Sequence, residues 1–422
     1  MTNYKDLLRK ELIPATGCTE PIAIAYASAK AREVLGKDPT KITANLSSNI
    51  IKNAHSVTVP STMGRKGIEI SIVAGAILGD PDKELEVLSN IDKSKLGLCD
   101  ELIDKKIVNV NLASDKEGLF IELILENEDE SSKVTIADSH TNIVEIKKND
   151  ELIYKKKEGL ESQSELDFSF DAIYDFAKNC DYSDIKDLLD KQISYNLKIS
   201  EEGLGGDWGS NIGKIILENN ADNYNEKLAA YAAAGSDARM NGCEQAVVIN
   251  AGSGNQGIIT SVPLAIYAKD NDLSDDELYR ALIFSNLIAL YMKNQIGKLS
   301  AYCGVVSASA AVIAAIAFMK KDDKEIIEET ISNALAVNSG IICDGAKSSC
   351  AMKIASSIRN ANLAYQQAKS GNSFEVGDGI VKENLDKTIE SVGKIARYGI
   401  KKTDEVVLSE MIENYDYLED FK

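Results

Sequence analysis

The sequence predicts an α+β protein, a small mixed α/β N-terminal part followed by an all-helical, alanine-rich domain. Two observations carry this reading. Alternation of apolar and polar residues, the period of a half-buried strand, dominates residues 105–156. From about residue 167 onward, long Ala-rich segments of helical length take over, separated by glycine loops. The boundary is placed between 1–166 and 167–422.

In order along the chain, TEPIAIAYASAKAREVL at 19–35 reads as a helix stopped by Gly36, with Thr16 or Thr19 as its cap. Val108, Val110 and Leu112 alternate with Asn109 and Asn111, and residues 133–136 repeat the pattern after a turn at EDESS (128–132). Helices are expected at 225–238, 275–292, 305–320, 325–337 and 346–368, with loops at GLGGDWGSN (203–211) and NAGSGNQG (250–257). No repeat and no low-complexity linker interrupts them.

Composition narrows the partners. A net charge of −19 over 422 residues repels phosphate backbones and anionic lipid, so neither nucleic acid nor a membrane surface is expected. The charged N-terminus lacks the apolar run of a signal peptide, which points to the cytoplasm. The uncharged stretch 299–319 is long enough to span a bilayer. Ala, Ser and Gly dominate it, however, so it reads as a small-residue helix buried in a soluble protein. Exposed Ala-rich helices are compatible with a homodimer.

The seven cysteines are odd in number and irregular in spacing, which does not suit a disulfide framework. Cys343 and Cys350, in GIICDGAKSSCAMK, are left as core thiols or metal ligands. On one continuous helix they would lie about 10 Å apart along the axis. Asp344-Gly345 suggests instead a turn, with a helix from near Ala346 and Cys350 in its first turns. Cys303 opens another helix in SAYCGVV. With only His55 and His140 in the chain, soft thiolates favour iron–sulfur over zinc. Gly252-Ser-Gly254-Asn-Gln-Gly257 imitates a dinucleotide fingerprint, but Pro263 follows and no second strand ends in a carboxylate. Tight turns holding backbone N–H groups for a small anion are the better reading.

The peptides PATGCTEPIA (14–23), NIIKNAHSVTVPST (49–62), GSGNQGI (252–258), GKLSAYCGVVSA (297–308) and GIICDGAKSSCAMK (340–353) resemble those of the L-cysteine desulfidase family, itself related to the α chain of iron–sulfur L-serine dehydratases. The resemblance implies a 4Fe-4S cluster held by Cys303, Cys343 and Cys350, an iron left open for substrate, and release of pyruvate, ammonia and sulfide from L-cysteine. An L-serine dehydratase on the same scaffold and a non-catalytic metal-stabilised or redox-sensing protein are the alternatives.

Elimination needs a base for the α-proton. Cys18 lies at a helix start, where the dipole favours thiolate, and the related serine dehydratases carry S-S-H-T there, with histidine at this position. Cys18 is therefore read as the base, against a capped helix start with a buried thiol. Lys298 and Lys347 are read as neutralising the substrate carboxylate, against merely solvated lysines beside an apolar segment. Asn53, Asn255 and Gln256 carry donors suited to a carboxylate or amino group, against a purely turn-forming role. Cys99, Cys180 and Cys243 are read as core or surface thiols, and His55 is given no role.

Overall fold

The structure, a computed structural model, describes residues 4–116, 118–156, 168–220, 222–297 and 299–411. The boundary expected at 166–167 and Lys298 lie outside the described residues. The chain opens with α1 (Tyr4–Glu11), β1 (Pro14–Thr16) and α2 (Thr19–Leu35). Gly36 ends α2 as expected, with φ 81° and its N–H bonded to the Arg32 carbonyl, a left-handed cap that glycine adopts without strain. There follow β2 (Lys41–Leu46), α3 (Ser48–Ala54), α4 (Ile68–Leu78), α5 (Leu96–Asp104), β3 (Val108–Leu112), β4 (Phe120–Asn127), β5 (Glu130–Ala137), β6 (Ile143–Lys148) and β7 (Glu151–Lys155).

The six longer strands form one sheet in the order β3-β2-β4-β5-β6-β7, parallel only between β2 and β3. Alternation puts Ile42, Ala44, Leu46, Ile121, Leu123, Leu125, Val134 and Ile136 in the core, under α2, which packs on β4 and β5. The turn between β4 and β5 is shorter than expected. It occupies residues 128–129, and β5 has begun by Glu130.

The second part contains α6 (Phe170–Asn179), α7 (Lys186–Gly205), α8 (Ile212–Asn219), α9 (Tyr224–Met240), β8 (Ala246–Val248), α10 (Gly254–Asp270), α11 (Asp275–Ile296), α12 (Gly304–Met319), α13 (Lys324–Asn338), α14 (Ser349–Lys369), α15 (Leu385–Lys394) and α16 (Lys401–Met411). Residues 203–205, expected in a loop, complete the last turn of α7. The small-residue stretch becomes α12, buried almost throughout and packed by α10, α11, α13 and α14. Ala, Ser and Gly leave room for four helices to approach it. Among the described residues no helix is long and apolar enough to cross a membrane.

One short element departs from the expected all-helical part. β8 pairs antiparallel with β1, with Thr16 opposite Ala246 and Pro14 opposite Val248. This pairing brings the segment before Cys18 onto the helical part and so positions the site.

Candidate active site

Helix starts converge on one cavity of about 100 Å³. Cys18 is the N-cap of α2, Cys303 the N-cap of α12, and Cys350 the second residue of α14, while Asn255 and Gln256 open α10. Cys18, Cys303, Cys343 and Cys350 all line this cavity, as do Asn53, Asn255 and Gln256. The convergence of helix N-termini gives the cavity a positive bias suited to anionic groups.

Cys343 sits in the loop before α14, and two backbone bonds tie that loop to the Cys303 loop. Cys303 N–H donates to the Ile341 carbonyl at 3.1 Å, and Cys343 N–H donates to the Ala301 carbonyl at 2.7 Å. Gly345, at φ 91°, lets the same loop close onto α3, because a Cβ there would lie 2.6 Å from the Lys52 carbonyl oxygen. Backbone N–H groups of Val305, Gly345 and Lys347 point at the sulfurs of Cys303, Cys343 and Cys350 respectively. The hydrogen bond from Cys303, with the Lys52 ammonium nearby, brings the Cys343 thiol down to about 6 despite its burial. That bond and burial push Cys303 up, and burial pushes Cys350 up to about 11.

The donor set fits a four-iron cluster. Among the described residues no three His, Cys, Asp or Glu side chains converge where a single metal ion would sit. A cluster asks for something different, one thiolate per iron spread over its faces, with N–H groups directed at the sulfurs. Three separate thiols around one cavity, each met by a backbone N–H, would hold three of the four irons. Two buried lysines lie near the thiols. Lys293, 4% exposed, lines the cavity and is held down to about 8 by burial, against the pull of Cys343 and Cys303. Lys52, 1% exposed, pairs with Asp404 of α16, whose other carboxylate oxygen accepts from Ala301 N–H at 2.8 Å.

The Cys18 environment differs from the expectation. Neither Thr16 nor Thr19 caps α2; Thr19 Oγ1 donates to the Gly252 carbonyl at 3.0 Å and to Glu20 Oε2 at 3.1 Å. Cys18 Sγ donates to Glu20 Oε2 at 3.0 Å. Burial, and then the Glu20 carboxylate, push this thiol well above its ordinary value, so it rests protonated. A helix start favours thiolate by only about 1 kcal/mol, less than desolvation opposes it here. Glu20 is the charged member. Burial would raise it, but His140 and Cys18 outweigh that and take it down to about 2. Asn53 Nδ2 donates to Glu20 Oε1 at 3.0 Å, and His140 Nε2 lies 3.6 Å from the same oxygen, beyond a hydrogen bond. His140 also lines a second cavity of about 240 Å³, together with Glu11, Asn142 and Gly252.

Of the expected cations, Lys347 does not line the cavity. Its Nζ donates to Ser56 Oγ at 2.6 Å, and burial lowers its pKa. The cavity's own cations are Lys293 and Arg239, which the sequence reading missed together with Glu20 and His140. Glu20 leaves one local sign, an acidic residue in a helix that is otherwise apolar for two turns. The others leave none, since each is a single polar residue whose burial depends on distant chain. Cys99 and Cys243 are buried away from this cavity and Cys180 is partly exposed.

Residues 115–409 match the family described as the serine dehydratase alpha chain. The chain is 47% identical over 419 residues to the UPF0597 protein of Finegoldia magna, covering 98% of this chain and 100% of that one. It is 45% identical over 410 residues to the UPF0597 protein of Lachnoclostridium phytofermentans (96% and 98% covered) and 44% identical over 421 residues to that of Treponema denticola (97% and 98% covered). The matched span contains the three cysteines of the α12 and α14 starts together with Arg239 and Lys293, and it places this chain in the serine dehydratase alpha chain family, a family of lyases.

Proposed function

We propose that this protein is an iron–sulfur lyase that converts L-cysteine to pyruvate, ammonia and hydrogen sulfide by α,β-elimination. The observation that carries the reading is the meeting of Cys303, Cys343 and Cys350 in one cavity, with Cys18 facing it from a different helix start. When bound on three thiolates, a 4Fe-4S cluster supplies a Lewis-acidic iron with an open position. Cys303, Cys343 and Cys350 are the residues that would hold it. Residues 1–166 then act as the part that delivers Cys18, and 167–422 as the part that carries the cluster.

The chain's own residues account for the proton movements. Cys18 rests as a thiol on Glu20 and must lose that proton to act as a base. The carboxylate 3.0 Å away is the acceptor in reach, and the transfer is uphill because Glu20 is held at about 2 and the thiol high. The thiolate then takes the substrate α-proton. The electron pair of the Cα–H bond forms the Cα=Cβ bond, the Cβ–S bond breaks, and hydrosulfide leaves. Water hydrolyses the resulting 2-aminoacrylate to pyruvate and ammonium. Asn53 and Thr19 fix Glu20 for this exchange. Asn53, Asn255 and Gln256 supply the polar lining for a small amino acid.

The family match favours a second reading, L-serine dehydratase, in which hydroxide leaves in place of hydrosulfide and the same base serves. The test is anaerobic purification, iron and sulfide analysis, and parallel product assays with L-cysteine and L-serine. A higher kcat/KM for L-cysteine supports the first reading. A higher value for L-serine selects the second. Iron-loaded protein that releases pyruvate from neither sinks both, and colourless protein with one tightly held zinc would indicate a non-catalytic metal-stabilised chain.

A further inference from the structure

Arg239, in the last turn of α9, is 3% exposed and lines the cavity together with Cys18 and Asn255. Its Nη1 donates to Asn255 Oδ1 at 3.1 Å, and its Nε has no partner. Among the described residues no carboxylate lies within ion-pair distance of it. Glu20, the nearest carboxylate acting on it, already accepts from Cys18 and Thr19 at one oxygen and from Asn53 at the other. A guanidinium taken out of water and left without an anion is costly, so this one is held in readiness for a ligand.

The backbone is built around it. A Cβ at Gly254 would lie 2.2 Å from Arg239 Nε and 2.5 Å from Cζ, so only glycine there lets the guanidinium lie against the start of α10. The first N–H groups of a helix have no partners within it, and of these the Gln256 N–H is capped by Ser253 Oγ at 3.4 Å. Two amide oxygens in the cavity wall, Asn53 Oδ1 and Gln256 Oε1, are buried without donors. Cation, helix start and two free acceptors together match a carboxylate beside an ammonium.

We propose that Arg239, seated over Gly254 at the start of α10, holds the α-carboxylate of the substrate while Asn53 and Gln256 accept from its α-ammonium. The inference rests on the amino-acid lyase reading and replaces the lysines as the carboxylate partner. The site then selects an α-amino acid over an amine that lacks the carboxylate.

The test is calorimetric binding of L-alanine and L-alaninamide to anaerobically prepared protein. Neither has a leaving group, so binding does not depend on turnover. Wild type is expected to bind L-alanine about 100-fold more tightly than the amide, the scale of a buried charge-assisted pair. R239Q should lose that preference with iron content unchanged, and R239K, which keeps a charge but not the fork, should retain part of it. Near-normal L-alanine binding by R239Q overturns the proposal, as does a wild type that does not prefer L-alanine. Iron loss from both variants overturns it too and assigns the cation to the cluster's charge. Wild type that binds L-alanine through Arg239, yet releases pyruvate from neither L-cysteine nor L-serine, keeps this inference and removes the lyase reading.

Discussion

Helix α10 contributes to two buried polar regions that are built on opposite rules. Near its middle, Thr260 and Ser261 join a network with Gln192, Asn196, Asn250 and Asn286. Gln192 and Asn286 exchange amide bonds at 3.0 and 2.8 Å, Asn250 and Thr260 donate to Asn286, and Asn196 bonds Val248 at both backbone groups and Ser261. Asn250 Oδ1 is the one atom of these amides without a partner. At the start of α10 the rule reverses, and Asn53, Gln256, Arg239 and His140 each keep an unpaired polar atom. A polar group closed on its neighbours specifies a fold, whereas one left open at a cavity is reserved for something that arrives. The same helix therefore carries both structure and site.

The comparison breaks most visibly at the cysteines. Anaerobically prepared wild type is expected to be brown and to bleach in air, because an incomplete thiolate shell leaves one iron open to oxidants. Cys343→Ser should lose iron, colour and turnover together, as measured by iron analysis, visible absorption and pyruvate release. Iron retained at the wild-type level would remove Cys343 from the ligand set.

Cys18→Ser separates base from ligand. Iron and colour should stay, while kcat falls about 10²–10⁴-fold, the usual contribution of a positioned proton acceptor. A serine hydroxyl can still donate to Glu20 but is far too weak an acid to become the base. Iron loss, or near-normal turnover with iron in place, would each rule the assignment out.

Asn286→Ala tests the closed region. It leaves Gln192, Asn250 and Thr260 without their buried partner, and a stability loss of about 3–5 kcal/mol is expected. Denaturation in urea would show it, with KM unchanged in the folded fraction. Gln256→Ala should do the opposite, leaving stability within about 1 kcal/mol because its Oε1 has no partner to lose, while raising KM about tenfold. If both variants behave alike, the distinction between closed and open regions fails.

What the sequence made legible follows the same division. The helix-start positions of Cys18, Cys303 and Cys350 were legible locally, from glycine turns running into apolar segments. The grouping of Cys303, Cys343 and Cys350 was expected only from the family resemblance, since spacing left Cys343 and Cys350 as core thiols or ligands. Strand alternation and the buried small-residue helix were readable locally too. Arg239, Lys293 and His140 were not, because only their distant neighbours bury them: His140 meets Glu20 across 120 residues of chain. The pairing of β1 with β8 was equally hidden, since three residues show no periodicity. Cys18 misled in one respect. Its helix-start position argued for thiolate, and burial beside Glu20 reversed the sign.

The smallest expected effect concerns Asp237, two residues before Arg239 but outside both regions. It is 1% exposed, and burial raises its carboxyl to about 6, although the Gly213 N–H donates to its Oδ2 at 3.1 Å. An acid whose folded pKa exceeds its unfolded value opposes folding once ionised. The penalty is absent below about pH 4, grows as pH rises through 4 to 6, and is complete above that. Two pKa units correspond to at most about 3 kcal/mol. Asp237→Asn removes the charge and keeps an oxygen for Gly213, but it leaves an amide N–H where Oδ1 now has no partner, which returns about 1 kcal/mol. The variant should therefore melt a few degrees higher than wild type at pH 7.5 and no higher at pH 4, with iron content and KM unchanged. A gain of the same size at both pH values would show that packing, and not charge, is responsible. No gain at pH 7.5 would mean that the backbone N–H groups of Ser210, Ile212 and Gly213 already compensate the carboxylate, and Asp237 would then belong with the closed network after all.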